Sequence, residues 1–163
     1  MGAGILPISK YKNTIYFLLG CEHYDKKWSD FGGKKMNNES KLEIAIREGY
    51  EELNGFLGTK NQLKNLVKKN LVLEIEKQDK TYKSYLFTIP YDPNLPIYFN
   101  NHHKFMESNF PLTIDKNGFF EKSQIRWFTL QELQSNKYEF RTFYKEIISE
   151  IIMENKVSPF NPK

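Results

Sequence analysis

The sequence lacks the features that mark exported, membrane-bound or disulfide-stapled chains. It has one cysteine, Cys21, which excludes an internal disulfide and a cysteine-based zinc site and suits a reducing compartment. No apolar run approaches the roughly 18 residues that span a bilayer. Residues Met1 to Ser9 carry neither the basic stretch nor the apolar segment of an export signal. The expectation is therefore an intracellular, cytoplasmic, soluble protein with no membrane partner. Repeats and low-complexity linkers are missing too, and 163 residues are too few for two ordinary domains. One domain over 1–163 is expected, with 158–163 a frayed tail. Arginine is scarce: only Arg47, Arg126 and Arg141 among 24 basic residues.

What is present is apolar and aromatic material sufficient for a core, at 39% and 15% of the chain, which excludes a disordered protein. The formal net charge of +4 and a pI near 9.0 point to an anionic partner such as a nucleic acid, a membrane surface or a phosphorylated small molecule. Abundant Lys and Asn fit an AT-biased genome equally well, so charge alone does not choose among them.

Periodicity predicts a mixture of strands and helices. Gly4 to Ser9 and Thr14 to Glu22 read as a hairpin around a polar turn, and Trp28 to Phe31 as a short strand running into Gly32-Gly33. Ser40, with Glu43 three residues on, forms a capping box ahead of Leu42, Ala45, Ile46, Gly49 and Leu53, which share one helical face. Asn54-Gly55 closes that helix. Lys60 to Lys69 is a polar helix, and Leu71 to Ile89 a second hairpin turning at Gln78-Asp79-Lys80. Pro90, Pro93 and Pro96 predict a long irregular loop reaching Gly118. A strand from Gln124 to Phe128 leads into a short helix capped by Thr129. The apolar stripe Phe140, Phe143, Tyr144, Ile147, Ile151 and Ile152 predicts a terminal helix.

Chemistry concentrates between Gly33 and Gly55. Glu48, Glu51 and Glu52 fall at i, i+3 and i+4, so a helix projects them as one anionic patch. Such a patch repels itself unless cations enter it, and Mg²⁺ and Mn²⁺ take carboxylate oxygens together with water and phosphate oxygens. Ahead of the helix, Gly32-Gly33 lets backbone approach a ligand closely, and Glu39 stands where it can brace the loop by pairing with Arg47.

This segment resembles the Nudix hydrolase box, with Gly33, Glu39, Arg47, Glu48, Glu51 and Glu52 in register over 20 residues. Gly49 departs from the pattern, in place of an aliphatic residue, and is expected to serve close packing against a bulky aromatic neighbour. Asn54 stands for a Gly, and Phe31 for the usual Pro. Ala3-Gly4-Ile5 and the run from Ile125 to Leu133 resemble the family's opening strand and its late strand and helix. The resemblance implies an α/β fold, the Nudix α/β/α sandwich with a mixed sheet. It also implies a hydrolase of phosphoric anhydride bonds that cleaves a nucleoside diphosphate linked to a group X by attack of water on phosphorus.

By the same resemblance, the metal (Mg²⁺ or Mn²⁺) is held by Glu48, Glu51, Glu52 and the Gly32 carbonyl. Glu48 is the first choice of general base, and Arg47 orients it. Gly33 and Glu39 are structural, and Glu121, before the late strand, is a candidate extra carboxylate. Substrate-binding residues are not identified, and the loops Lys10 to Asn13, Lys60 to Lys69 and Pro90 to Gly118 are expected to set specificity. The substrates implied are a nucleoside triphosphate, a dinucleotide or a nucleotide sugar. Capped RNA, a diphosphoinositol polyphosphate and a non-catalytic ligand-binding module are the alternatives. His102-His103 reads as a solvated pair, Cys21 and His23 as packing residues, and Trp28, Phe119 and Phe120 as core aromatics able to stack on a base.

Overall fold

The structure is a computed structural model that describes residues 1–114, 116 and 118–157, with side chains as far as 154. The tail expected to fray, 158–163, lies outside the described residues. The first two strands, β1 (Gly2–Tyr11) and β2 (Thr14–Glu22), form the expected hairpin. Lys12 and Asn13 at its tip have φ of 47° and 61°, the left-handed pair that a two-residue hairpin turn requires.

The pairing runs only from Ile8↔Phe17 to Tyr11↔Thr14, and beyond it the strands separate. Two short strands fill the gap. Strand β3 (Trp28–Ser29) pairs with β2 and β4 (Phe31–Lys34) with β1. The single strand expected over Trp28 to Phe31 is thus two, because the chain changes partner at Asp30. On its other edge β1 pairs in parallel with β6 (Tyr82–Thr88), which pairs antiparallel with β5 (Leu71–Glu76). The far edge of β2 carries β7 (Lys122–Thr129), in register from Tyr16↔Thr129 to Glu22↔Lys122.

Helices cover both faces, giving the mixed α/β/α sandwich. Adjacent residues on the strands feed different cores: Ile5, Leu18 and Trp127 pack toward α1 (Lys41–Glu52) and α2 (Lys60–Asn70), while Leu6, Leu19 and Phe128 pack toward α4 (Leu130–Gln134) and α5 (Lys145–Val157). A strand buried on both sides reads as a continuous apolar run. The expected stripe from Phe140 is helical only from Lys145. Phe140 instead bridges to Trp28, and Thr142–Tyr144 is a 3₁₀ turn.

The expected loop after Pro90 is corrected: Leu95–Asn109 is a 15-residue helix, α3. Pro96 sits in its first turn, where a missing N–H leaves no hydrogen bond unmade. Asn100 of α3 then clasps β7, accepting the Ile125 N–H at 2.8 Å and donating to its carbonyl at 3.4 Å.

Helix α1 begins at the Ser40–Glu43 capping box and buries Ile44, Ala45, Ile46 and Gly49. Gly49 meets an aliphatic residue rather than the expected aromatic one. A Cβ there would lie 2.4 Å from Ile5 Cδ1, so its absence lets α1 lie directly on β1.

Asp30, where the chain crosses between strands, is fully buried, and Tyr82 and Ser84 donate to its carboxylate at 2.7 and 2.6 Å. Burial pushes its pKa up to about 6, against the pull of those two hydroxyls.

Two measurements check these packing arguments. Gly49→Leu restores the residue class of the Nudix pattern yet is expected to cost about 1–3 kcal/mol in urea unfolding, because the added volume has nowhere to go. Asp30 binds its proton more tightly folded than unfolded. Its contribution to stability is therefore complete below about pH 3.8 and is lost as pH rises through about 6. The stability of the wild type relative to Asp30→Asn should fall by on the order of 3 kcal/mol between pH 4 and pH 7; a difference independent of pH would contradict the assignment.

Candidate active site

Arg47, part-buried on α1, organises the loop between β4 and the helix. Its Nε and Nη2 bind the two oxygens of Glu39 at 2.7 and 3.0 Å, and Nη2 also donates to the Lys34 carbonyl at 3.0 Å. This two-pronged bond lowers the Glu39 pKa to about 2 and closes the loop onto the helix. Glu39 also accepts the Met36 N–H at 2.9 Å, so both of its oxygens serve the loop. The remaining guanidinium nitrogen, Nη1, donates to Glu48 at 2.7 Å and to Glu51 at 3.3 Å. Three carboxylates therefore surround one guanidinium.

Each carboxylate of the i, i+3, i+4 set has its own setting. The half-buried Glu48 lies over Gly33, where a Cβ would stand 2.4 Å from the carboxyl carbon. Gly33 is thus the space in which Glu48 sits. Glu51 lies beneath Gly118, whose φ is +79° and whose Cβ would stand 2.7 Å from Glu51 Oε2. Burial raises the Glu51 pKa, with Arg47 acting against the shift. The loop over Glu51 is tied down by Asn54, which holds the left-handed conformation at φ 50° and accepts the Phe120 N–H at 2.9 Å. Here Asn does more than replace the Gly of the Nudix pattern.

Glu52 points the other way. It is 1% exposed, and its Oε2 accepts the Gly32 N–H at 2.7 Å. Its Oε1 is 3.4 Å from Nζ of Lys122, a residue that the reading of the sequence missed. Lys122 is fully buried and bonds also to Glu22 and, at 2.9 Å, to Ser29 Oγ. Burial works against its charge, but Glu52 and Glu22 outweigh it and leave its pKa raised. For the Glu52 carboxyl burial is the larger effect and pushes its pKa up, with Lys122 acting against the shift. The signal in the sequence was slight, a Lys at the start of a strand of mixed polarity, with Gly20 leaving space for it. Only the β2–β7 register turns that signal into the Glu22↔Lys122 pair. Glu121, half-buried beside Lys122, is near enough for its charge to act on Glu52.

The donors suit a hard divalent cation, since Glu48 and Glu51 offer only oxygen and converge on the same Arg47 nitrogen. Among the described residues no three His, Cys, Asp or Glu side chains form a finished cage. An ion here would complete its shell with water and substrate oxygens, the usual habit of Mg²⁺.

On the opposite side of β4 a cleft of about 290 Å³ is lined by Gly32, Gly33, Lys34, Tyr82, Arg141 and Phe143, among others. The Arg141 guanidinium lies 5.0 Å from the Phe143 ring centroid.

Other candidates are not brought to the site. Trp28 is buried in the core beneath α5 against Phe128. Phe119 meets Tyr50 edge-on. Phe120 lies against His102 and His103. The expectation of a solvated histidine pair is corrected for His103, which is buried on α3 with Nε2 3.2 Å from the Phe120 carbonyl. Cys21 is buried, while His23, one residue past β2, lies 3.8 Å from Glu107.

The Arg47 geometry predicts that Arg47→Ala will lower stability by about 2–4 kcal/mol, because three carboxylates lose their shared donor. Arg47→Lys keeps the charge but not the fork and should recover less than half of that, as read by urea unfolding.

No family model matches the sequence, and no curated protein is similar to it. Solved structures do share its architecture. A C. elegans Ap4A hydrolase in a binary complex aligns with a TM-score of 0.58 at 17% identity, over 96% of this chain and 99% of the other. RenU, a Nudix hydrolase of M. smegmatis, aligns at 0.51 and 11% identity, over 99% and 90%. A bifunctional NMN adenylyltransferase/ADP ribose pyrophosphatase of Francisella tularensis, complexed with AMP and a Mn ion, aligns at 0.54 and 15% identity, over 93% of this chain and 41% of that one. The strand order, the helix following the Gly pair and these alignments agree: the chain is built on the Nudix fold.

Proposed function

We propose that the protein is a Mg²⁺- or Mn²⁺-dependent hydrolase of phosphoric anhydride bonds, acting on a nucleoside diphosphate linked to a further group. Nucleoside triphosphates, dinucleotides and nucleotide sugars are the substrate class. The observation that carries this reading is the gathering of Glu48 and Glu51 on one Arg47 nitrogen, next to a Gly-Gly backbone and with Glu52 just beneath. An ion held by Glu48, Glu51, the Gly32 carbonyl and the one Glu52 oxygen that Lys122 does not take would neutralise charge developing on the phosphate oxygens and lower the pKa of a bound water.

The chain's own residues do the remaining work. Arg47 fixes Glu48 through Oε1, which leaves the second oxygen to take a proton from the attacking water. Glu39 holds Arg47 in place, so it acts on the reaction only through that guanidinium. Gly118 and the Asn54 tether keep a loop over Glu51, restricting the water that reaches it. The cleft beside Gly32-Gly33 offers Tyr82 and Phe143 as aromatic surface and Lys34 as positive charge, a combination suited to a base and a phosphate. Relatives in fold named for Ap4A and ADP-ribose hydrolysis support a nucleotide substrate.

The test is a panel of nucleoside triphosphates, dinucleoside polyphosphates, ADP-ribose, diphosphoinositol phosphates and capped RNA, each with Mg²⁺ or Mn²⁺ and scored for released product. Turnover is expected for a nucleotide, with Glu48→Gln and Glu51→Gln each lowering it at least about 100-fold. Undiminished metal-dependent hydrolysis in both variants would remove the assignment, and no turnover of any compound would turn the reading toward a ligand-binding module.

A further inference from the structure

The charges around the site fall into two groups of opposite character. In the outer group Glu39, Glu48 and Glu51 share Arg47, three negative charges to one positive. In the inner group Glu52 contacts Lys122, Lys122 contacts Glu22, and Glu22 accepts from Arg141 at 2.9 Å. Those four residues balance, two against two. The outer group lacks two positive charges, the charge of one divalent ion, whereas the four contacting residues of the inner group lack none among themselves; Glu121, whose charge reaches Glu52, adds one negative charge at their rim.

Lys122 is built into that inner position. Its side chain is 0% exposed, and its ammonium has three acceptor groups around it, Glu22, Ser29 and Glu52. Its stem runs over Gly20, where a Cβ would come within 2.9 Å of Lys122 Cδ. An ammonium is a compact point charge with three donors, and a buried one is retained only with partners of this kind. Ordinary strand propensity does not explain a lysine here, since an apolar residue in the same place would avoid its desolvation.

We propose that Lys122 is a resident cation that substitutes for a divalent ion at the inner oxygen of Glu52, so that the site takes up metal on its Glu48–Glu51 side and Lys122 limits how many ions it holds. This rests on the metal-dependent reading of the site given above. Lys122 is thereby a positioning residue: it holds Glu52 against Gly32 and leaves the other face of the cluster to the exchangeable ion.

The test counts bound Mn²⁺ by electron paramagnetic resonance of the free ion, in proteins shown to unfold cooperatively. Lys122→Met leaves the inner group with one uncompensated negative charge and is expected to bind one Mn²⁺ more than the wild type. The charge-balanced double variant Glu22→Gln/Lys122→Met should return to the wild-type number. A folded Lys122→Met that binds no more Mn²⁺ than the wild type overturns the proposal.

Should that variant not fold, the wild type decides. Lys122 is the one fully buried lysine among the described residues, so its ammonium should give the most slowly exchanging lysine side-chain signal in ¹H–¹⁵N spectra. That signal is expected to persist at saturating Mg²⁺, and its loss would mean that metal displaces Lys122. A wild type that binds no Mn²⁺ at all would instead remove the metal-dependent reading itself, and the proposal with it.

Discussion

Strands β1 and β2 hydrogen-bond to each other over four residue pairs beside their turn and then part. Two strands that separate inside a sheet expose backbone donors and acceptors on facing edges, and buried groups of that kind must find partners. The segment from Trp28 to Lys34 supplies them, two residues to β2 and four to β1, and Asp30 at the crossing is held by hydroxyls from β6. The Gly pair therefore lies in the middle of the sheet rather than on a mobile surface turn. Helix α1 has to cross directly above it, and Gly49 sets how near it comes. The carboxylates approach the Gly32-Gly33 backbone because the hairpin opens.

The acidic helix face is tolerated for a related reason. Three Glu at i, i+3 and i+4 would repel on an isolated helix. Here the first two are joined by Arg47 and the third is turned inward to a lysine on another strand. Opposing demands are thus met on one turn of helix: Glu52 gives up solvent for fixed partners, and Glu48 and Glu51 keep access to the surface. The overall excess of positive charge is a poor guide to this arrangement, since Lys122 and Arg47 are consumed locally by carboxylates and Lys34 remains beside the cleft.

The parts of the fold legible in the sequence are those written in local chemistry. Ser40 and Glu43 announce the start of α1, the polar run Lys10 to Asn13 the hairpin turn, of which only Lys12 and Asn13 lie outside the strands, and the spacing of Glu48, Glu51 and Glu52 their common face. What stayed hidden depends on residues distant in the chain. Lys122 looks like a surface lysine until β7 is laid against β2. The break at Asp30 follows from the parting of two other strands, and a proline that ends most helices starts α3 because it falls in the first turn. The aromatic neighbour expected for Gly49 proved to be Ile5 for the same reason, since β1 alone decides what lies under that turn.

One side chain near the site has a mechanical consequence. Asn54 ends α1 and, through a bond of 2.9 Å, holds the backbone of Phe120, while Phe120 in turn rests on the histidines of α3. The end of the acidic helix, the strap over Glu51 and the helix that clasps β7 are therefore hitched at a single point. A ligand that lifts the strap must either break that hitch or tilt the last turn of α1 with it, so that admitting a large ligand and moving Glu51 become one event.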